Sequence, residues 1–474
     1  MNADHAIFIS RKIFIGIAAT SIIGLTSSNA SAAAFALQEQ SGSGLGTAFA
    51  GPAEAADASS MYTNPATLSK RKAIQIVGAA HIATPSMKFK DSGSLTAFNQ
   101  HRLGGNGSDA GSVNFLGNLY IAVPISERWT FGLGNGAPFG LVSKYDRDWA
   151  GRYLGVESDV KSFNVNPAIS FKINDRLSVG LGVNWQYLHA KFTNAVNYSA
   201  ALGNAAQTAA AQGMIPAELV PAVIGATGGL DSFSTVKGQN NDAWGVNGGF
   251  LFEFDENTRF SFAYRSEIKQ KMEGTVRFSH PDLNGVPADL QQVIGGLGQL
   301  VNQQLYDGKV RAEITLPAVA NISAYHQATP RLGLMADVQW TEWSSLQYLT
   351  FERIDGSILQ ETPEKFRNTW RVAVGANYRI NDRWLGRFGV AYDQSPVREE
   401  HRTPRLPDAH RVWFALGGQY AIDQRMKLDF GFAYLHAKDK KIFDNAGNPA
   451  LYGQLDGYYK NYATVASMQL SYTF

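Results

Sequence analysis

The sequence predicts an all-β protein, a transmembrane antiparallel β-barrel of about 14 strands with an N-terminal hatch inside its lumen. Apolar and polar residues alternate with period two through most of the chain, the pattern of a strand with two unlike faces. Short polar turns and long links take turns between those strands, as in outer-membrane barrels whose termini share one side of the membrane. The composition mixes two surfaces: charged residues are 17% of 474, against roughly 25% in soluble domains, and aromatics are 12%. Mean hydropathy is nevertheless −0.18, which excludes a bundle of membrane helices.

The elements follow in chain order. The apolar stretch Ile13 to Leu25 follows Arg11 and Lys12 and precedes Ala30-Ser31-Ala32. It is shorter than the roughly 20 residues that span a bilayer as a helix. Positive flank, short apolar core and small-residue exit predict a signal peptide over residues 1–32, cleaved after Ala32. Export with no second long apolar segment leaves a soluble exported protein or a barrel of the bacterial outer membrane. Residues 33–71 do not alternate; they are rich in alanine and glycine, and include Phe35, Leu37, Ser43-Gly44-Leu45-Gly46 and Asn64-Pro65-Ala66. Small residues let a chain pack closely in a narrow lumen, so this segment is the expected hatch.

Residues 72–474 carry the barrel pattern. Phe163, Val165, Ile169 and Phe171 alternate with Asn164, Asn166, Ser170 and Lys172. Leu177 through Tyr187 and Trp370 through Ile380 alternate in the same way. Short turns fall at Ser126-Glu127-Arg128, Asn174-Asp175-Arg176, Asp255-Glu256-Asn257, Thr329-Pro330-Arg331, Asn381-Asp382-Arg383 and Asp423-Gln424-Arg425. Trp129, Trp244, Tyr264, Trp340, Trp384 and Tyr420 end apolar faces, where an amphipathic ring suits the membrane interface. The last strand ends in Phe474, which resembles the signal read by the barrel-assembly machinery. Water is absent from the hydrocarbon, so backbone groups must pair internally, and a closed sheet pairs them without long apolar runs.

Several function classes are excluded or weakened. The chain has no cysteine, so disulfides, thiolate metal sites and a cysteine nucleophile are ruled out. A net charge of +2 gives no basic face for nucleic acid. Gly132-Leu133-Gly134-Asn135-Gly136-Ala137 matches a dinucleotide fingerprint, but Pro138 stands where its helix must run. There is no G-x-S-x-G elbow, and the nine histidines lack ligand spacing. No catalytic residue, metal or cofactor is expected; an outer-membrane lipase and a general porin remain as rivals.

In the mature start, Asn64-Pro65-Ala66, Tyr264-Arg265-Ser266-Glu267, Leu316-Pro317, Ser395-Pro396-Val397 and Pro407-Asp408, the chain resembles the FadL family of outer-membrane fatty-acid transporters. The resemblance implies uptake of long-chain fatty acids, with monoaromatics or alkanes as the alternative cargo. It also implies a monomer among outer-membrane lipid and lipopolysaccharide, a hatch holding Asn64, Pro65 and Ala66, and a third strand kinked inward as a lateral opening. The matching place is Gly134, Gly136, Pro138, Phe139 and Gly140, where alternation stops; a plain strand end would read the same way. The apolar loop residues Ile215, Leu219, Val220, Ile224, Ile294 and Leu297 match an entrance groove, or equally helices packed on one another.

A fatty acid needs a cation for its carboxylate. With Trp370, Val372 and Val374 on the apolar face, alternation turns Arg367 and Arg371 inward, and the resemblance puts Arg367 at a head-group position. A second basic family position falls on Asn194, which departs from the pattern, and Lys191 is the nearby substitute. Lumenal salt bridges are the competing role for each cation.

Overall fold

The computed structural model describes residues 34–474. The expected signal peptide, its cleavage after Ala32 and hatch residue 33 lie outside the described residues. The remaining chain forms one closed antiparallel barrel of 14 strands. They are β1 Gln75–Asp91, β2 Asn114–Pro124, β3 in two pieces (Trp129–Gly136 and Gly140–Lys144), β4 Glu157–Lys172, β5 Leu177–Asn197 and β6 Asp231–Glu253. Four broken strands follow: β7 (Thr258–Arg265, Ile268–Ser279), β8 (Gly308–Leu316, Val319–Gln327), β9 (Leu332–Thr341, Tyr348–Arg353) and β10 (Ile358–Pro363, Thr369–Arg379). The last are β11 Trp384–Asp393, β12 Arg411–Ala421, β13 (Met426–Ala437, Lys440–Asp444) and β14 Leu455–Thr473. β14 closes the barrel on β1 from Gln75↔Thr473 to Asp91↔Gly457.

Alternation sorts the wall. On β10, Trp370, Val372 and Val374 are exposed while Arg371 and Ala373 are buried against the interior. The outward apolar face of β11 runs from Trp384 to Tyr392, eight residues apart in sequence and both exposed. At about 3.3 Å per residue and a tilt near 40°, that spans about 20 Å, close to the apolar band of such barrels. Trp384 and Tyr392 therefore mark the two edges of that band on this strand.

The six short turns share one device. In each, a side-chain oxygen at the first position accepts two backbone N–H groups further on. Asn174 Oδ1 accepts from Arg176 and Leu177, and Asp423 Oδ1 from Arg425 and Met426. Asp255 and Asn381 do the same, and Ser126 and Thr329 use their hydroxyls. These Asx and Ser/Thr turns satisfy donors the sheet cannot, so the strands reverse in few residues.

Residues 34–71 run inside the wall, as one helical turn (Gly42–Leu45) and three 3₁₀ turns (Pro52–Glu54, Ala58–Tyr62, Pro65–Lys70). Asn64 caps the last, accepting from Ala66 N at 3.0 Å, and its amide donates to Phe250 O on β6 and Phe262 O on β7. Asp57 accepts from Ser43 Oγ at 2.7 Å and from Gln469 Nε2 on β14 at 2.8 Å. The wall opposite is built to admit the segment. A Cβ on Gly180 would lie 2.3 Å from Ala66 N, and one on Gly249 2.6 Å from Asn64 Oδ1. Much of the glycine therefore serves as inward-facing clearance in the barrel wall.

Candidate functional site

The third strand is broken, and the break defines the site. β2 pairs with β3 only from Leu119↔Asn135 to Pro124↔Thr130. Beyond Gly136 the second piece of β3 pairs with β4 alone, from Gly140↔Lys161 to Lys144↔Glu157. Pro138 offers no N–H to β2, so the ladder between β2 and β3 is open there. The N-terminal segment takes up the freed groups: Leu37 N donates to Pro138 O at 2.8 Å, and Gly140 N to Phe35 O at 2.7 Å. Gln40 Nε2 donates to Ala137 O at 3.0 Å, while Asn118 Nδ2 of β2 donates to Gln40 Oε1 at 3.0 Å. A piece of the segment thus stands where β2 would continue the sheet.

Above the break the lumen is apolar. Phe35 lies 4.9 Å from Trp343 and 5.7 Å from Phe139, centroid to centroid, and Trp343 lies 5.9 Å from Phe366. The same buried cluster extends through Leu188, Val236, Val276 and Ile314 to Phe192, Phe351 and Leu406. Inward positions of β3 to β10 supply most of it, so one continuous apolar cluster runs from the wall break to the barrel mouth.

A cation stands at the upper end of that cluster. Arg405, in the loop from β11 to β12, reaches Asn194 Oδ1 on β5 with Nη2 at 3.1 Å and packs 5.4 Å from the Phe192 ring. Its other contacts are the Glu157 carbonyl and the Ser158 hydroxyl, both neutral acceptors. Burial pushes its pKa down to about 10, opposed by Glu364 and Asp444, so it stays charged at neutral pH. Arg405 and Asn194 line a cavity of about 630 Å³ at the mouth, together with Phe278, Leu359 and Tyr452.

The residues expected from the sequence divide into two sets. Arg371 faces inward as expected, is 2% exposed, and donates from Nη2 to Ala48 O of the N-terminal segment. Its Nε and Nη1 have no hydrogen-bond acceptor, and it lines a small polar cavity of about 70 Å³ with Gln38, Thr47, Asp337 and Gln339. Arg367 and Lys191 face away from the lumen, which corrects their expected orientation. Residues 364–368 lie outside any strand, so parity does not carry up from Arg371; Phe366 takes the inward place beside Trp343 and Arg367 is exposed. Lys191 sits between the inward Ala190 and Phe192 and pairs with Glu157 at 2.5 Å. Arg405 was missed because its loop has no period; the apolar Val397 and Leu406 in a long polar link, both now in the interior cluster, were the available signal.

The loop residues expected at an entrance lie around the helices Tyr198–Ala211, Leu219–Ala226 and Gln291–Gln304. Ile294 and Leu297 are buried between them, with Ile215, Leu219 and Val220 partly buried. Ile224 approaches Gly203 of the first helix, and its carbonyl accepts from Asn99 Nδ2 at 2.8 Å. Met214 and Leu300 remain exposed at 58% and 42%. The helices pack on one another and still present an apolar fringe.

Glu39 is the unusual group of the N-terminal segment. It is 1% exposed, and no side-chain donor reaches its carboxylate. Burial pushes its pKa up to about 7, although Arg411 and Arg371 pull the other way. Among the described residues no His, Asp and Glu side chains group as metal ligands would.

Comparison with known proteins places this architecture. The chain is 28% identical over 453 residues to the long-chain fatty acid transport protein of Escherichia coli O6:H1, covering 94% of this chain and 96% of that protein. It is 31% identical over 436 residues to a 47 kDa outer membrane protein of Pasteurella multocida, covering 90% and 93%. The crystal structure of a Pseudomonas aeruginosa FadL homologue superposes with a TM-score of 0.80 at 26% identity, covering 93% of this chain and all of that one. The toluene transporter TodX of P. putida shares the fold, with a TM-score of 0.62 at 18% identity over 88% and 94% of the two chains. With a family model matching residues 23–474, the chain belongs to the outer membrane protein transport protein (OMPP1/FadL/TodX) family.

Proposed function

We propose that this outer-membrane barrel takes up long-chain fatty acids: the tail lies along the apolar interior, the carboxylate meets Arg405, and the ligand leaves sideways at the β3 break. The single observation that carries the reading is the continuous apolar cluster joining Arg405 and Phe192 at the mouth to Phe35 and Phe139 at the break. Burying each CH₂ is worth about 0.8 kcal/mol, so a sixteen-carbon tail gains on the order of 10 kcal/mol and release is the harder step. Residues 33–71 act as the hatch. Withdrawing Phe35 and Leu37 removes one wall of the apolar site and also frees Pro138 and Gly140, so one movement weakens binding and opens the wall. Sideways exit returns the tail to apolar surroundings and spares it a passage through water.

The names of the long-chain fatty acid transport relatives support this cargo. A second reading, uptake of monoaromatic compounds, is favoured by the aromatic cluster of Phe35, Phe139, Trp343 and Phe366, which offers a ring apolar contact without needing a cation. The chain is read as a transporter without catalytic chemistry. Uptake of labelled oleate and of toluene by cells whose only such transporter is this protein, wild type or Arg405→Ala, separates the readings. Loss of oleate uptake alone supports the fatty-acid cargo. Loss of toluene uptake to the same degree, or of neither, refutes the carboxylate assignment. Esterase activity in refolded protein would refute the non-enzymatic reading.

A further inference from the structure

A second cationic pocket adjoins the mouth cavity, with which it shares Arg402 and Glu400. Its cavity of about 240 Å³ is lined by Arg367, Arg398, Arg402, His410 and Lys440, together with Glu399 and Glu400. The four guanidinium and ammonium groups outnumber the two carboxylates, and the hydrogen bonds that fix the arginines go to neutral acceptors. Arg367 Nε donates to Ser395 O, Arg398 Nε to Lys365 O at 2.8 Å, and Arg402 to the carbonyls of Asp408 and Lys441.

Arg367 and Arg398 form the exposed, outer rim of this pocket, and Val397, Arg402 and Ala409 its buried inner side. Phe366 points inward, and Arg367 turns the other way. His410 stands 6.1 Å, ring to ring, from Tyr392, an exposed residue between the inward Ala391 and Asp393. Tyr392 and Trp370 stand at the outer edge of the apolar band on β11 and β10, so the pocket sits at the level where lipid headgroups begin.

One contact calls for an anion. Ser395 N donates to His410 Nδ1 at 3.0 Å. Burial, Arg367 and Lys440 hold the His410 pKa below its ordinary value, which keeps the ring neutral with its proton on Nε2. That Nε2 lies 3.2 Å from Arg367 Nη2, which is also a donor. Two N–H groups face each other with no acceptor between them, and an anionic oxygen beside the pair accepts from both.

We propose that this pocket binds a phosphate on the sugar headgroup of outer-leaflet lipopolysaccharide, fixing the glycolipid against β10 to β12. A phosphate monoester carries about two negative charges, matching the cationic excess of the lining, and its acyl chains continue down the apolar outer face below Tyr392.

Native mass spectrometry of the full chain in detergent tests this with bisphosphorylated lipid A and its dephosphorylated form as probes. Wild type is expected to bind the phosphorylated form at least about tenfold more tightly, and Arg367→Gln/Arg398→Gln to lose that preference. Lys427→Gln, an exposed cation beside the short turns, is expected to keep it. Absence of a preference in wild type, its persistence in the double variant or its equal loss in Lys427→Gln overturns the site. On wild-type protein, inorganic phosphate is expected to displace lipid A while chloride at equal ionic strength does not; failure of that displacement also overturns it. Oleate is expected to leave lipid A bound, and displacement by oleate would assign the pocket to the transported carboxylate instead.

Discussion

The backbone N–H of Leu37 donates to the carbonyl of Pro138 across 2.8 Å, so the N-terminal segment, and not β2, completes the sheet at the break in β3. Ala36 and Phe139 form the bridge pair at that point. Antiparallel partners stand about 4.5–5.5 Å apart at Cα, within reach of a disulfide. The chain contains no cysteine, so Ala36→Cys/Phe139→Cys introduces one defined crosslink. Oxidation is expected to abolish oleate uptake and dithiothreitol to restore it. Undiminished uptake by the oxidised protein would show that the segment need not leave the break.

Arg405→Ala removes the inward cation nearest the apolar cluster. A hydrogen bond to a charged group contributes about 1.5–3 kcal/mol, so the Kd for a long-chain fatty acid is expected to rise by about ten- to a hundredfold. Affinity for toluene should not change. Arg367→Ala is expected to leave both affinities unaltered, because that side chain lies outside the lumen. Isothermal titration with oleate and toluene measures all four values, and a larger oleate effect at Arg367 than at Arg405 would reverse the assignment.

Glu39 makes the seating of the N-terminal segment depend on pH. Its folded pKa of about 7 exceeds the ordinary 4.5, so the seated segment binds the proton more tightly than the released one. Stability therefore falls as pH rises from about 4.5 through 7, by on the order of 3 kcal/mol at most. Hydrogen exchange of amides 35–48, corrected for intrinsic rate, should show protection declining over that window. Glu39→Gln should flatten the decline and protect the segment at pH 8. A decline that persists in Glu39→Gln would mean another group controls it.

Gly180→Val places a side chain against Ala66 N and Pro65 C, where even a Cβ would stand at 2.3–2.4 Å. Overpacking of this kind costs about 1–3 kcal/mol, and here the 3₁₀ turn Pro65–Lys70 can yield more easily than the wall. The barrel is expected to fold while Asn64 loses its bonds to β6 and β7. Ion conductance in planar bilayers should rise severalfold over wild type. Conductance equal to wild type would show that the segment accommodates the valine without moving.

The barrel was legible in the sequence because its rules are local. Period-two alternation decided which face of Trp370 to Val374 meets lipid and that Arg371 turns inward, and the residues Asn174, Asp255, Asn381 and Asp423 marked turns whose hydrogen bonds close within four residues. The break at Gly136 to Gly140 was also visible, since glycine and proline interrupt a ladder wherever they stand. The tertiary structure decided what no period reaches. Alternation extrapolated from Arg371 to Arg367 failed because residues 364–368 are not strand, and Lys191 fell on the outer face. Arg405 gained its place when its loop folded back into the mouth and met Asn194, more than two hundred positions earlier in the chain. Which groups fill the open ladder at Pro138 was likewise settled only by packing, because the donors come from Leu37 and Gln40, a hundred residues away in sequence. Strand faces follow from neighbours along the chain; the site follows from neighbours across the lumen.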